Sequence, residues 1–228
     1  MPAHFSSNIT LAVPTELQPS PQRQLPEITS ETLDRLQEAG WFGVGLLVAL
    51  VDTDGSVLML EHHARDKNLE GMLGLMSETS KISRPVIEQP MQTLFRGFKE
   101  ELGKDNPNSM GLSMHQAGGW VINQWPHGVN RPDMFACGIS FPVFVDDETR
   151  EDILRIEHNG EEVGAAEFMD PAIVLEMDDA KLRPGIKPLL AQLGAAGLLS
   201  SGADFGGLVP VSFNDVFEAS FIDIRLQP

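Results

Sequence analysis

The chain has 228 residues, 42% of them hydrophobic, and carries 33 acidic against 16 basic side chains for a formal net charge of −17. That field repels phosphate backbones and anionic lipid, which excludes general nucleic-acid or membrane-surface binding, and no apolar run reaches the roughly eighteen residues of a membrane span. A lone cysteine, Cys137, excludes an internal disulfide and fits a reducing compartment; with no leader-like start to the chain, the expected location is the cytoplasm.

Residues 1–28 carry Pro14, Pro19, Pro21 and Pro26 among polar residues and read as a Pro-rich arm, extended rather than core. The domain proper is expected over 29–197. Within it, SETLDRLQEAG predicts a helix from Ser30 that Gly40 stops. GVGLLVALV, residues 43–51, is apolar on both faces, as a central strand is, and DTDG turns the chain back into the partner strand SVLMLEH. Neither a third glycine nor a helix follows Gly43 and Gly45, which argues against a dinucleotide loop.

Residues 62–87 read as loop around a short apolar piece, MLGLM. A helix is predicted from Glu88 to Leu102, with Met91, Leu94, Phe95, Phe98 and Leu102 marking its buried face. GGWVINQ and MFACGISFPVFV predict two strands joined by the loop WPHGVNRPD. DDETREDILRI predicts a helix capped by Asp146 or Asp147, EEVGAAEFM a last core strand, and DPAIVLEM and RPGIKPLLAQLGAAG two closing helices, with Pro184 in a first turn. The tail, 198–228, is Gly/Ser-rich; there Ile222, Ile224 and Leu226 alternate with Asp223 and Arg225 like a half-exposed edge strand. The mixture indicates one α/β or α+β domain.

The chemistry concentrates in LFRGFKEELGKD, residues 94–105. Positions three and four apart share a helix face, so Gly97, Glu100 and Glu101 form a set, expected to lie off the apolar stripe. Adjacent carboxylates repel, and on an exposed face that is harmless. In a cleft they need cations, and a hard ion held by one or two carboxylates plus substrate phosphates is the usual solution. Arg96, four residues before Glu100, can hold a carboxylate in place.

With Glu88 eight residues before Arg96, the pattern E-x7-R-x-U-x-E-E-x-G (U apolar) is present, and here the sequence resembles the Nudix hydrolase family over residues 42–195. The resemblance implies an α/β/α sandwich with a mixed sheet and Mg²⁺- or Mn²⁺-assisted hydrolysis of a nucleoside diphosphate linked to another moiety. It assigns Glu100 and Glu101 to the metal and Arg96, Glu88 and Glu162 to the catalytic machinery, with Arg96 and Glu88 orienting the helix and loop. The implied partner is a small nucleotide-diphosphate substrate, with no nucleic acid and no membrane, and homodimers are common in the family. Three departures stand out. Ile82 occupies the place of the family's first glycine, with Gly74 as a structural substitute. Lys104 stands at the final apolar position. Gly97 stands where the family has a glutamate on the metal-binding face. Glu78, Glu161 and Glu162 are the candidates to replace that carboxylate. The competing reading is a catalytically impaired domain that binds a nucleotide or a protein partner.

Arg65 and Lys67 are candidate phosphate contacts. Trp125 and Arg131, in the WPHGVNRPD loop, are candidates to stack a base or close over a pocket, a plain exposed hairpin being equally compatible. His62 and His63 are adjacent on a strand and point to opposite faces, so a shared transition metal is not expected. Cys137, in an apolar run, reads as an inert buried thiol, which counts against isoprenoid diphosphate isomerase chemistry.

Overall fold

A computed structural model describes residues 9, 11–18, 25–63, 69–83, 86–101, 114–116, 119–126, 134–156, 163–199 and 209–210. Its centre is β1, Gly43–Val51, buried along its whole length as its unbroken apolar sequence requires. β1 lies parallel to β9, Phe135–Val145, and both faces of the pair are covered. The remaining pairings are antiparallel. β2 (Val57–His62) returns from β1 and carries β3 (Met72–Gly74) and β10 (Val163–Met169). β4 (Met76–Thr79) runs beside the middle of β1. β7 (Met114–Gln116) and β8 (Val121–Pro126) pair with β9, and β11 (Val209–Pro210) with β7. Among the described residues the result is a nine-stranded mixed sheet, with β5 (Ile82–Ser83) and β6 (Val86–Ile87) forming a separate small hairpin.

The alternation of β1 separates two cores. Val44, Leu46, Val48 and Leu50 face α2 (Pro90–Glu101), through Leu94, Phe95 and Phe98, and α1 (Ser30–Glu38), through Leu33 and Leu36. Leu47, Ala49 and Val51 face α5 (Ile186–Ala195) through Ile186, Leu189, Leu190 and Leu193. The fold is therefore an α/β/α sandwich. Each of the three large α2 side chains is at most 4% exposed, and each such burial stabilises by about 1.5–3 kcal/mol.

Several sequence expectations change in detail. The described part of the N-terminal segment is not a free extended arm: it includes a 3₁₀ turn, Thr15–Leu17, and packs largely on the core. Leu17 and Ile28 are fully buried, Trp41 Nε1 donates to Ala12 O at 2.7 Å, and Trp120 Nε1 donates to Leu17 O at 3.0 Å. The stretch read as loop over 62–87 contains β3 to β6; its polar residues hid strands that form only by pairing with neighbours. α2 begins at Pro90 instead of Glu88, because proline suits a first helical position and holds the residue before it out of the helix. α5 begins at Ile186, since Gly185 sits in the left-handed region at φ +90° and leaves Pro184 outside. β10 is an edge strand of the described sheet, not an interior one, and Gly164, Ala165 and Glu167 are exposed. α3 (Asp147–Leu154) is capped by Asp146 as expected, and α4 spans Pro171–Glu176. Leu102, Gly103, Lys104 and the strand expected around Ile222 lie outside the described residues.

Candidate active site

The site forms where α2 crosses β4. Met76 and Glu78 are two residues apart on a pleated strand and so share a face. Met76 is buried in the core that α2 covers, which turns Glu78 toward that helix. Gly97 receives it: a Cβ built on Gly97 would stand 2.7 Å from Glu78 Cγ.

Arg96 is the hub. Its Nε and Nη2 donate to Glu88 Oε1 and Oε2, both at 3.0 Å, the two-pronged geometry that makes arginine–carboxylate pairs strong. Its Nη1 donates to Glu78 Oε2 at 2.5 Å and to Glu100 Oε2 at 2.8 Å, and Nη2 also reaches the Thr79 carbonyl at 2.6 Å. Glu88 is held further by the Lys81 amide at 2.8 Å and by Thr93 Oγ1 at 3.1 Å, and Thr93 in turn meets Ser80. Lys81 Nζ lies 3.3 Å from Glu100 Oε1. The side chains of Arg96, Glu78 and Glu88 are about one-sixth exposed or less, and that of Glu100 is 38% exposed.

The charges follow from this packing. Burial works to raise the Glu88 carboxyl, but the bonds from Arg96, the Lys81 amide and Thr93 outweigh it and leave the pKa below its ordinary value. Glu100 shows the same balance, with Arg96 and Lys81 prevailing over partial burial. Burial alone would lower the Arg96 pKa; Glu88 and Glu78 raise it instead, so the guanidinium is permanently charged.

Glu101 departs from its expected place off the apolar stripe. It is 4% exposed, and its Oε1 accepts from the Ser77 amide at 3.3 Å. It continues the buried row Leu94–Phe98–Glu101, spaced four and then three residues. Beside it lies Arg183, which sequence reasoning did not single out; nothing in RPGIKP distinguishes it from a surface arginine. Arg183 donates from Nη1 to Ser77 Oγ at 3.0 Å, burial lowers its pKa, and the Glu101 charge opposes that shift.

His62 closes this buried polar group. Its pKa falls to about 3, first through burial and then through Arg183, against an opposing hydrogen bond to the Leu75 backbone, so the imidazole is neutral. Gly74 is required at the centre, since a Cβ there would stand 2.8 Å from Arg183 Cδ and 3.2 Å from His62 Nε2.

The other candidates separate from the site. Trp125 belongs to β8 rather than to a loop and packs on the α5 core beside Gly185, on the far face of the sheet from α2. Cys137 is fully buried and its thiol is pushed up to about 12 by burial, as an inert core cysteine would be. His63 stands against Gly164 on β10, away from His62. Arg65, Lys67, Arg131, Glu161 and Glu162 lie outside the described residues. Among the described residues no three or more His, Cys, Asp or Glu side chains are grouped to hold a metal by themselves, and no helix is long and apolar enough to cross a membrane.

No family model matches the sequence. No curated protein matches it either. Among solved structures it is similar to the MutT protein from Methanosarcina mazei Go1, at 13% identity and a TM-score of 0.45, over 68% of this chain and 94% of that one. It is similar to the E. coli dihydroneopterin triphosphate pyrophosphohydrolase, at 16% identity and a TM-score of 0.43, over 67% and 95%. It is also similar to a Nudix hydrolase from M. smegmatis, at 11% identity and a TM-score of 0.44, over 68% and 86%.

Proposed function

We propose that this chain is a divalent-cation-dependent hydrolase of a nucleoside diphosphate linked to a second moiety. The observation that carries the reading is the meeting of Glu88, Glu78 and Glu100 on the guanidinium of Arg96, with Glu88, Arg96 and Glu100 at the box spacing. The donor set suits Mg²⁺ or Mn²⁺. Its atoms are hard carboxylate oxygens, and three carboxylates share one arginine and an exposed lysine, so a net negative charge remains for a cation. A bound cation would supply charge neutralisation of the diphosphate oxygens and activation of water.

The chain's own residues account for the rest. Glu100, the most exposed carboxylate of the group, is the residue placed to hold the cation, together with substrate oxygens. Its lowered pKa keeps it ionised, so no proton must leave first. Arg96 fixes Glu100 through Oε2, and Glu88 fixes Arg96, so both are positioning residues. Glu101, the second ligand expected from the box, is buried beside Arg183, which supports a part in tying the end of α2 to β4. Arg65 and Lys67 are the proposed phosphate contacts, Arg131 a proposed substrate contact from the loop after Trp125, and Glu162 the proposed downstream acid, in a cytoplasmic enzyme.

A second reading, binding without turnover, is favoured by two observations: Gly97 contributes no carboxylate and Glu101 is turned inward. Product release from a panel of dinucleotides, ADP-sugars, dNTPs and CoA with Mg²⁺ or Mn²⁺, against Glu100→Gln, separates the two. Cation-dependent turnover lost in the variant supports the hydrolase. No turnover, with nucleotide still raising Tm in EDTA, supports the binder.

A further inference from the structure

We propose that Glu78, supplied by strand β4, takes the place of the carboxylate that α2 lacks at Gly97, and is the second protein ligand of the cation; this rests on the hydrolase reading above. The two positions are complementary in space. The volume above Gly97 that a side chain would enter is occupied by Glu78, whose Cγ, Cβ and Cδ would lie 2.7, 3.7 and 3.8 Å from a Cβ there. The loss of a side chain from the helix and the arrival of one from the strand are thus one exchange: a side chain at position 97 would force Glu78 out of the place it holds.

The carboxylate is also delivered to the right neighbour. Arg96 Nη1 donates to Oε2 of both Glu78 and Glu100, so one nitrogen sets the two acidic groups side by side. Glu78 comes from a strand held in register by β1, with Leu46 opposite it, which is a rigid mount for a ligand. One charge is thereby returned to the set that Gly97 depletes. The exchange also explains why a glycine is retained in the interior of α2, where it weakens the helix.

The test is Mn²⁺ binding by the full chain, titrated by the EPR signal of the free ion, for wild type, Glu100→Gln, Glu78→Gln, Glu78→Ala, Gly97→Glu and Glu78→Ala/Gly97→Glu, each first melted without metal. Glu78→Gln keeps the size and the Arg96 hydrogen bond, so its reading does not depend on whether Glu78→Ala folds. The expected result is that Glu78→Gln weakens Mn²⁺ binding at least about tenfold, the scale even a residue supporting a ligand is worth. Gly97→Glu alone disturbs the site, and the double variant regains most of the lost affinity. Wild-type affinity in Glu78→Gln, or no recovery in a folded double variant, overturns the exchange while leaving the hydrolase reading intact. Absence of Mn²⁺ binding by wild type, or binding unchanged in Glu100→Gln, overturns the reading and the exchange with it.

Discussion

Glu78 lies directly over Gly97, close enough that a single methyl group on the glycine would meet its Cγ at 2.7 Å. This contact sets two effects of Gly97→Ala against one another. Alanine favours the helix by about 0.5–1 kcal/mol over glycine, but it must displace a side chain that Arg96 grips. We expect Gly97→Ala to lower Tm in the wild-type background and to raise it in a Glu78→Ala background. Denaturant melts of the four proteins check this; the same sign in both backgrounds would show that Glu78 does not occupy the space.

Arg96 is the residue whose loss the site tolerates least. Truncation to methionine leaves Glu78 and Glu88, both largely buried, without their cation, a change of up to roughly 3–5 kcal/mol. Lysine does not substitute, because one ammonium cannot span both oxygens of Glu88 while also reaching Glu78 and Glu100. Chemical denaturation of Arg96→Lys measures this. Recovery of most of the wild-type stability would mean that point charge, rather than the fork, holds the cluster.

How far the sequence led is clearest in this region. Glu88, Arg96 and Glu100 were legible because their partners lie on one helix and the turn before it, where spacing dictates geometry. The central strand was legible because nine residues of unbroken burial leave an apolar run. Glu78 was only one of three candidates to fill the gap at Gly97, because the register of β4 on β1 is tertiary and its polar residues resemble a loop. Arg183 was invisible for the same reason, being brought to Ser77 from 106 residues away. Glu101 was misplaced for a different one: doublet spacing suggested an exposed pair, whereas the heptad row from Leu94 runs into the core.

The Glu101–Arg183 pair therefore separates two carboxylates that a sequence treats alike. Glu100→Gln removes a partly exposed ion pair and should cost less than about 1 kcal/mol. Glu101→Gln removes the charge that offsets a partly buried guanidinium and should cost about 1–3 kcal/mol. Urea melts of the two variants test the ordering. Equal, small losses would mean that Arg183 does not depend on Glu101.

Acid should unfold this domain through a small set of groups acting in the same direction. His62 is neutral in the fold, with its pKa depressed from the usual 6.5 to about 3 by burial and then by Arg183. Between those values the unfolded chain binds a proton that the folded chain refuses, so stability is full above the unfolded pKa and falls as pH drops toward 3. Glu88 and Glu100, depressed on balance by Arg96 despite partial burial, add a loss that begins as pH falls through the ordinary carboxylate range. The two contributions separate by pH. His62→Gln retains a polar side chain but cannot titrate, so it should flatten the dependence of Tm on pH between about 6.5 and 5 while leaving the steeper loss below about 4.5 in place. A wild-type Tm that does not change from pH 7 to 5, or a slope there that survives His62→Gln, would show that the imidazole does not carry this part of the acid sensitivity.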